Sequence, residues 1–300
     1  MEETRLKILM VTSEVVPFAK TGGLGDMVAA LSSELSRQGH DVRVVLPRYY
    51  SVDVGRMQRV GGPLGVPLGN EEEWCAVYAG RLPDAEVKVY FLDHQELYGR
   101  DGIYGTKTEP SFPDNLRRFA LLSRGAFQLC RSLDWIPDIM HGHDWPAAIV
   151  PVCLNTRESN GPFAGTGSML TIHNLGHQGV FPVEEFVHLP LAPELYHSSG
   201  FESPDGINLL QAGLENADVL TTVSPTYAEE IQTPEFGCGL DALLRRRRKD
   251  LYGVLNGMDY DIWNPETDLH IPANYSHRNL DGKAVNKEAL QRAFDLPVDP

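Results

Sequence analysis

Near its N-terminus the chain changes from a strand pattern to a helix pattern and back, which confines it to a parallel α/β sheet. Residues 6–12 form an apolar run, and residues 24–38 carry apolar positions at helical spacing. Gly39 stands where a helix end wants a left-handed residue, and residues 41–46 are again a strand pattern. Such a βαβ unit has a right-handed crossover and lies in a parallel sheet. The turn inside it reads Lys20-Thr21-Gly22-Gly23-Leu24-Gly25-Asp26. It puts two residues without a Cβ at a helix N-terminus, where unpaired N–H groups and the helix dipole favour an anion. Lys20 adds a full positive charge, so the turn suits a phosphorylated small molecule. A glycine pair in a strand-to-helix turn also serves plain close packing, and both uses stand at this point.

Neither common phosphate fingerprint fits. A dinucleotide loop needs G-x-G-x-x-G, and a P-loop needs four residues between its first glycine and G-K-[ST]. Here the lysine precedes the glycines. Further along, residues 61–69 are rich in Gly and Pro and read as repeated turns. Residues 74–79 and 86–92 read as a hairpin about the turn signal Pro83-Asp84. A long helix is expected over 113–133, a strand over 139–141, a helix over 146–155 and a strand over 168–173. Then come a helix over 207–216, a strand over 219–223 and a helix after Ser224-Pro225. This alternation specifies a doubly wound α/β sheet. Ligands of such sheets sit beyond the carboxyl ends of the strands. Glu14 and Lys20, the string His141-Gly142-His143-Asp144-Trp145, and His173-Asn174 all fall at such ends.

Composition narrows the partners. The net charge of −15 argues against nucleic acid, because phosphate backbones demand a basic face. The one opposing run, Arg245-Arg246-Arg247-Arg248-Lys249, reads as the solvated end of a helix. Cys75, Cys130, Cys153 and Cys238 form no C-x-x-C pair, so free thiols in a reducing compartment are expected. No apolar run approaches the roughly 20 residues of a membrane span, and the N-terminal apolar run is short for a secretory signal. A cytoplasmic location, with no membrane partner, is the expectation.

The polar clusters allow several chemistries. His141, His143 and Asp144 are metal-ligand types, but a zinc site needs a third or fourth ligand and the cysteines are distant in sequence. Asp144 also suits a hydrogen bond to a hydroxylated ligand, or the cap of the next helix. His173 and His177 have the spacing of a zinc helix without its glutamate. A nucleophile elbow is absent. Asn256-Gly257 is by itself only a turn signal.

Taken in order, these strings resemble the bacterial glycogen synthases and plant starch synthases. The matching segments are Ser13-Glu14 with Pro17, Lys20 to Leu24, His143-Asp144-Trp145, Thr171-Ile172-His173-Asn174, Thr222-Val223-Ser224-Pro225, Phe236-Gly237 with Gly239-Leu240, and Asn256-Gly257-Met258-Asp259 with Trp263-Asn264-Pro265. The resemblance implies a Rossmann-like sheet that is the N-terminal half of a two-Rossmann (GT-B) glycosyltransferase. Residues 1–275 would form that catalytic half, and 276–300 the linker and first helix toward a nucleotide-binding domain outside this sequence. The implied reaction is transfer of glucose, with retention, from ADP-glucose to the non-reducing end of an α-1,4-glucan, without cofactor or metal. Lys20, His173 and Asp144 are the implied catalytic residues. Glu14, Gly22, Gly23, Asp26, Tyr104, Asn174 and Asn256 are the implied substrate contacts. The chain alone is expected to be the inactive acceptor-side half. The alternative is a non-catalytic glucan- or oligosaccharide-binding module. A nucleotide-dependent dehydrogenase fails for want of the dinucleotide fingerprint.

Overall fold

A computed structural model describes residues 4–55, 57–83, 85–260 and 262–299. Asp84 of the expected Pro83-Asp84 turn lies outside the described residues. In chain order the elements are β1 (Lys7–Val11), α1 (Gly23–Arg37), β2 (Asp41–Pro47), β3 (Gln58–Arg59), β4 (Leu64–Leu68), β5 (Glu71–Arg81), β6 (Lys88–Asp93), α2 (Gln95–Tyr98) and α3 (Asn115–Ser132). They continue with β7 (Ile139–His143), α4 (Ile149–Asn155), β8 (Gly167–Ile172), β9 (Val180–Phe181), α5 (Leu195–Ser198), β10 (Glu202–Ser203), β11 (Gly206–Asn208) and α6 (Leu209–Asn216). Last come β12 (Val219–Thr222), α7 (Pro225–Glu230), α8 (Asp241–Arg246), β13 (Leu251–Gly253) and α9 (Asp281–Ala293). Two compact units result, one ending at Asn256 and one beginning at Gly257.

The first unit is a doubly wound sheet in the order β13-β12-β8-β7-β1-β2-β6-β5-β3, with β4 beside β5. Strands β13 to β6 of that order run parallel, and β5 pairs antiparallel with β6, β3 and β4. Chain order reverses between β1 and β7, which makes their carboxyl ends the switch point where such sheets bind ligands. The parallel strands are buried on both faces, which explains their unbroken apolar runs. In β1, Ile8 and Met10 pack in the core beneath Leu24 and Val28 of α1. Leu9 and Val11, pointing the other way, pack in the core shared with α3, α4 and α6. α3 is buried nearly all round, from Leu116 to Cys130, as suits a helix enclosed in a core.

Three expectations needed correction. The 61–69 segment is more than turns: β4 runs through it and pairs with β5 from Leu64↔Cys75 to Leu68↔Glu71. The expected helix over 207–216 begins later, because Asn208 closes β11 and its side chain accepts the Gln211 N–H as the cap of α6. The expected helix over 146–155 is a short 3-10 turn, Trp145–Ala147, followed by α4.

In the second unit, α9 has no buried residue. The Asn286 side chain fastens it to the preceding segment, accepting from Ala273 N at 3.0 Å and donating to Ala273 O at 2.7 Å. Among the described residues no helix is long and apolar enough to cross a membrane.

Candidate functional site

The loop after β1 is organised by Glu14, a carboxylate only 2% exposed. Its Oε2 accepts from the N–H groups of Thr21 at 2.5 Å and Gly22 at 3.3 Å. Its Oε1 accepts from the Thr21 hydroxyl and the Tyr104 phenol, each at 2.8 Å. The Ser13 hydroxyl is 2.7 Å from the same phenol oxygen. Burial, with Glu14 beside it, holds the Tyr104 phenol well above its ordinary 10, so it stays a donor. The turn therefore carries an internal anion, and the Gly22 N–H is already in use.

The next N–H groups belong to the open end of α1. No side chain caps this helix, whose N-cap Gly22 is extended at φ −145° and ψ −155°. Nothing lies within 4 Å of a Cβ built on Gly22 or Gly23, and neither has a positive φ. Close packing therefore explains neither glycine. It does explain Gly25, whose Cβ would meet the Ala19 carbonyl at 3.1 Å. Lys20 stands beside the opening, half exposed, with its Nζ 2.7 Å from Asp26 Oδ2 in the first turn of α1. A cleft of about 250 Å³ flanks the loop, lined by Pro17, Lys20, Thr21, Tyr49, Ser51 and Gly102 among others.

The ends of β7 and β8 hold the second cluster. Asp144 has φ 53° and ψ −170°, a region that L-residues avoid and that costs of order 1–3 kcal/mol. Three bonds hold it there. Its N–H donates to Thr171 O at 2.9 Å, and its Oδ1 accepts from His173 N at 2.7 Å and Asn174 N at 3.4 Å. The side chain thus fastens the loop after β8 and does not cap the helical turn that follows. Burial pushes the Asp144 carboxyl up to about 7, against the pull of those two N–H groups.

Three imidazoles line up across the same strand ends. His141 stacks on His143 with ring centroids 4.2 Å apart, and His143 Nδ1 is 3.2 Å from His173 Nε2. His141 Nε2 meets the Thr171 hydroxyl at 2.6 Å, which in turn meets the Thr221 hydroxyl at 2.6 Å. Burial holds His141 down to about 3, His143 well below 6.5 and His173 down to about 4, so all three are neutral near pH 7. Among the described residues no group of three or more His, Cys, Asp or Glu is placed to hold a metal.

The structure thus gathers Glu14, Lys20, Gly22, Gly23, Asp26 and Tyr104 around one strand end. Asp144, His173 and Asn174 lie together at another. Asn174 is exposed, and its Oδ1 accepts from Gly176 N at 2.9 Å. Asn256 is exposed, at the end of the first unit after β13, and joins neither cluster. Sequence reasoning gave no part to Arg118, which is fully buried. It donates to the carbonyls of Leu97 and Ile103, each at 2.7 Å, so it fixes the loop that carries Tyr104. In the sequence Arg118 is only the second of an Arg117-Arg118 pair in a helical run, and nothing there separates it from its partly exposed neighbour.

A family profile, the starch synthase catalytic domain, matches residues 7–246. The chain belongs to that family. Several glycogen synthases are similar to it. A glycogen synthase of Treponema denticola is 51% identical over 294 residues, covering 98% of this chain and 60% of that protein. Glycogen synthase 1 of Geobacter sulfurreducens is 48% identical over 298 residues, covering 98% and 59%. The chain therefore spans about three fifths of the length of these curated relatives. Among solved structures, the catalytic domain of starch synthase IV from Arabidopsis thaliana, bound to ADP and acarbose, superposes with a TM-score of 0.85. It is 30% identical, and the match covers 99% of this chain and 61% of that one.

Proposed function

We propose that this chain is the acceptor-side half of a retaining glucosyltransferase that moves glucose from ADP-glucose to the non-reducing 4-OH of an α-1,4-glucan. The observation that carries this reading is the unfilled helix N-terminus at Gly22-Gly23 beside Lys20. The fold itself gives no reason for either glycine, and the site lies at the switch point of the sheet. In the solved starch synthase the ligands are ADP and acarbose, a nucleoside diphosphate and an oligosaccharide, the two classes this reading needs.

The chemical problem is a departing diphosphate and a cation-like glucosyl centre. Lys20 and the N–H groups of Gly23 and Leu24 would take up charge on the leaving group, the kind of contact worth about 10²–10³ in turnover. Lys20 would exchange Asp26 for phosphate, at little cost because both partners are about half exposed. Glu14 would act from behind, holding the turn open while leaving its outer N–H groups to the donor. His173 would lie against the transferred sugar, with Asp144 fixing its backbone and Asn174 and Asn256 offering contacts to hydroxyls. The nucleoside would be held by the two fifths of the relatives' length that this chain does not span, so that the chain alone binds acceptor and turns over nothing.

Isothermal titration of the 300-residue chain tests this. Maltooligosaccharide should bind, ADP-glucose should bind weakly at most, and Lys20→Ala should leave the glucan isotherm unchanged. Tight ADP-glucose binding would overturn the division of labour. Loss of glucan affinity in Lys20→Ala would overturn the donor-side role of that lysine, and no glucan binding at all would overturn the acceptor-side reading.

A further inference from the structure

We propose that His143 is a positioning residue that fixes the tautomer of His173, so that His173 offers a protonated Nδ1 as a donor to a sugar hydroxyl. This rests on the glucosyltransferase reading above, and it concerns a group that reading leaves unused. His143 is fully buried at the end of β7, and its Nε2 has no hydrogen-bond partner. Its Nδ1 lies 3.2 Å from His173 Nε2. Exactly one proton can occupy that bond when both rings are neutral, so two arrangements compete.

In the first arrangement His173 donates from Nε2, His143 accepts at Nδ1, and the His143 proton is left on the buried Nε2. That strands an N–H donor in the core, and burying a donor without an acceptor costs about 1–3 kcal/mol. In the second, His143 donates from Nδ1 to His173 Nε2, and only a lone pair is left unpaired on His143 Nε2. Orphaned buried N–H groups are rarer than under-used acceptors, so the second arrangement wins. A doubly protonated His143 would satisfy neither nitrogen better, and burial beside two other imidazoles opposes its charge.

The consequence falls on His173. With Nε2 accepting, its proton sits on Nδ1. No hydrogen bond inside the chain uses that Nδ1 among the described residues, and on this partly buried side chain the atom keeps some contact with solvent. The outward nitrogen is therefore a fixed donor, suited to a hydroxyl oxygen and unsuited to a hydroxyl that must donate. The rest of the array makes the arrangement rigid. His141 backs the His143 ring at 4.2 Å and is itself tied to Thr171 and through it to Thr221, while Asp144 holds the His173 backbone N–H at 2.7 Å. Neither ring can turn without breaking a bond that crosses between strand ends.

The test is long-range proton–nitrogen correlation NMR of the chain labelled with ¹⁵N-histidine near pH 7, with His173 assigned through His173→Gln. The expected spectrum shows His173 and His143 both protonated at Nδ1 and bare at Nε2. His143→Asn, whose amide N–H₂ takes the place of the ring Nδ1–H, should keep the His173 pattern. His143→Phe, which has no donor, should move it to the averaged pattern of exchanging tautomers. A His173 proton on Nε2 in the unsubstituted chain overturns the proposal, as does an unchanged His173 pattern in a folded His143→Phe. If His143→Phe does not fold, the unsubstituted spectrum still decides. No substrate is present, so a negative result leaves the glucosyltransferase reading intact, and that reading stands or falls on the isotherms.

Discussion

Single residues separate what the fold requires from what a ligand would require. Gly25 is a packing glycine, since a Cβ there would press the Ala19 carbonyl at 3.1 Å, whereas a Cβ at Gly23 meets nothing within 4 Å. The two substitutions should therefore act on different properties. Gly25→Ala is expected to destabilise the chain by about 1–3 kcal/mol, the usual cost of overpacking. Gly23→Ala, at the first position of α1, should leave stability unchanged or raise it by about 0.5–1 kcal/mol, because Ala loses less entropy in a helix than Gly. On the proposed reading, the same Gly23→Ala should lower turnover of the complete enzyme, because a methyl group would stand where the diphosphate is proposed to approach. Urea midpoints for both variants and initial rates for the second check this. A Gly23→Ala enzyme with undiminished rate would mean that the open helix end is not the donor site. Glu14 illustrates the opposite case, a residue whose chemistry is turned inward: all four of its partners are donors, so the carboxylate stabilises the turn.

Elements differ in how far the sequence foretells them. β1, α1, β2 and α3 were legible because their signals are local: apolar runs, helical spacing, and Gly39 with φ +97° after α1. The strand ends, and hence the positions of Glu14, Asp144 and His173 at one edge, followed from the same pattern. β4 was not legible, because Gly65 and Pro67 read as turn residues and only pairing with β5 reveals the strand. In the sheet order β4 has that one neighbour, the edge setting in which a proline is tolerated. The links of Glu14 to Thr21 and of Tyr104 to Glu14 were illegible too, the first because it depends on how one loop folds back on itself and the second because the sheet brings two distant loops together. The run 245–249 shows the limit most directly. Sequence gives only charge, yet Arg247 turns inward and donates to the carbonyls of Leu214 at 2.6 Å, Glu215 at 2.9 Å and Ala217 at 2.5 Å, closing the carboxyl end of α6. Arg248, one residue on, is exposed. Arg247→Ala should cost about 1–3 kcal/mol by stranding those carbonyls, and Arg248→Ala should fall within about 0.5 kcal/mol of the unsubstituted chain. Equal urea midpoints for the two variants would show that the α6 end does not depend on Arg247.

At the scale of the whole first unit, one edge of the sheet concentrates groups whose protonation differs between the folded and unfolded chain. His141, at about 3, His143, well below 6.5, and His173, at about 4, all return toward 6.5 on unfolding. As the pH falls from about 6.5 toward 4.5, the unfolded chain therefore comes to bind up to three more protons at these sites than the folded one. Asp144 works in the other direction. Its carboxyl is raised to about 7 from 3.8, so in the same window the folded chain binds one more proton there. The histidines outweigh it by two protons, and stability must fall as the pH drops through this window. Each proton is worth about 1.4 kcal/mol per pH unit, so the slope is of the order of 3 kcal/mol per unit where both changes are complete. The carboxyls of Asp41 and Glu73, pushed up by burial but held low on balance by their hydrogen-bonding and ionic partners, add to acid sensitivity chiefly below that range. Urea unfolding at intervals from about pH 7 to 4.5 measures the slope, and His143→Phe, which removes one of the two net protons, should roughly halve it. A stability that is flat or rising on acidification would mean that the imidazole array is not held neutral. The same array that fixes a donor at His173 would then lack the buried, uncharged surroundings on which its proton arrangement depends.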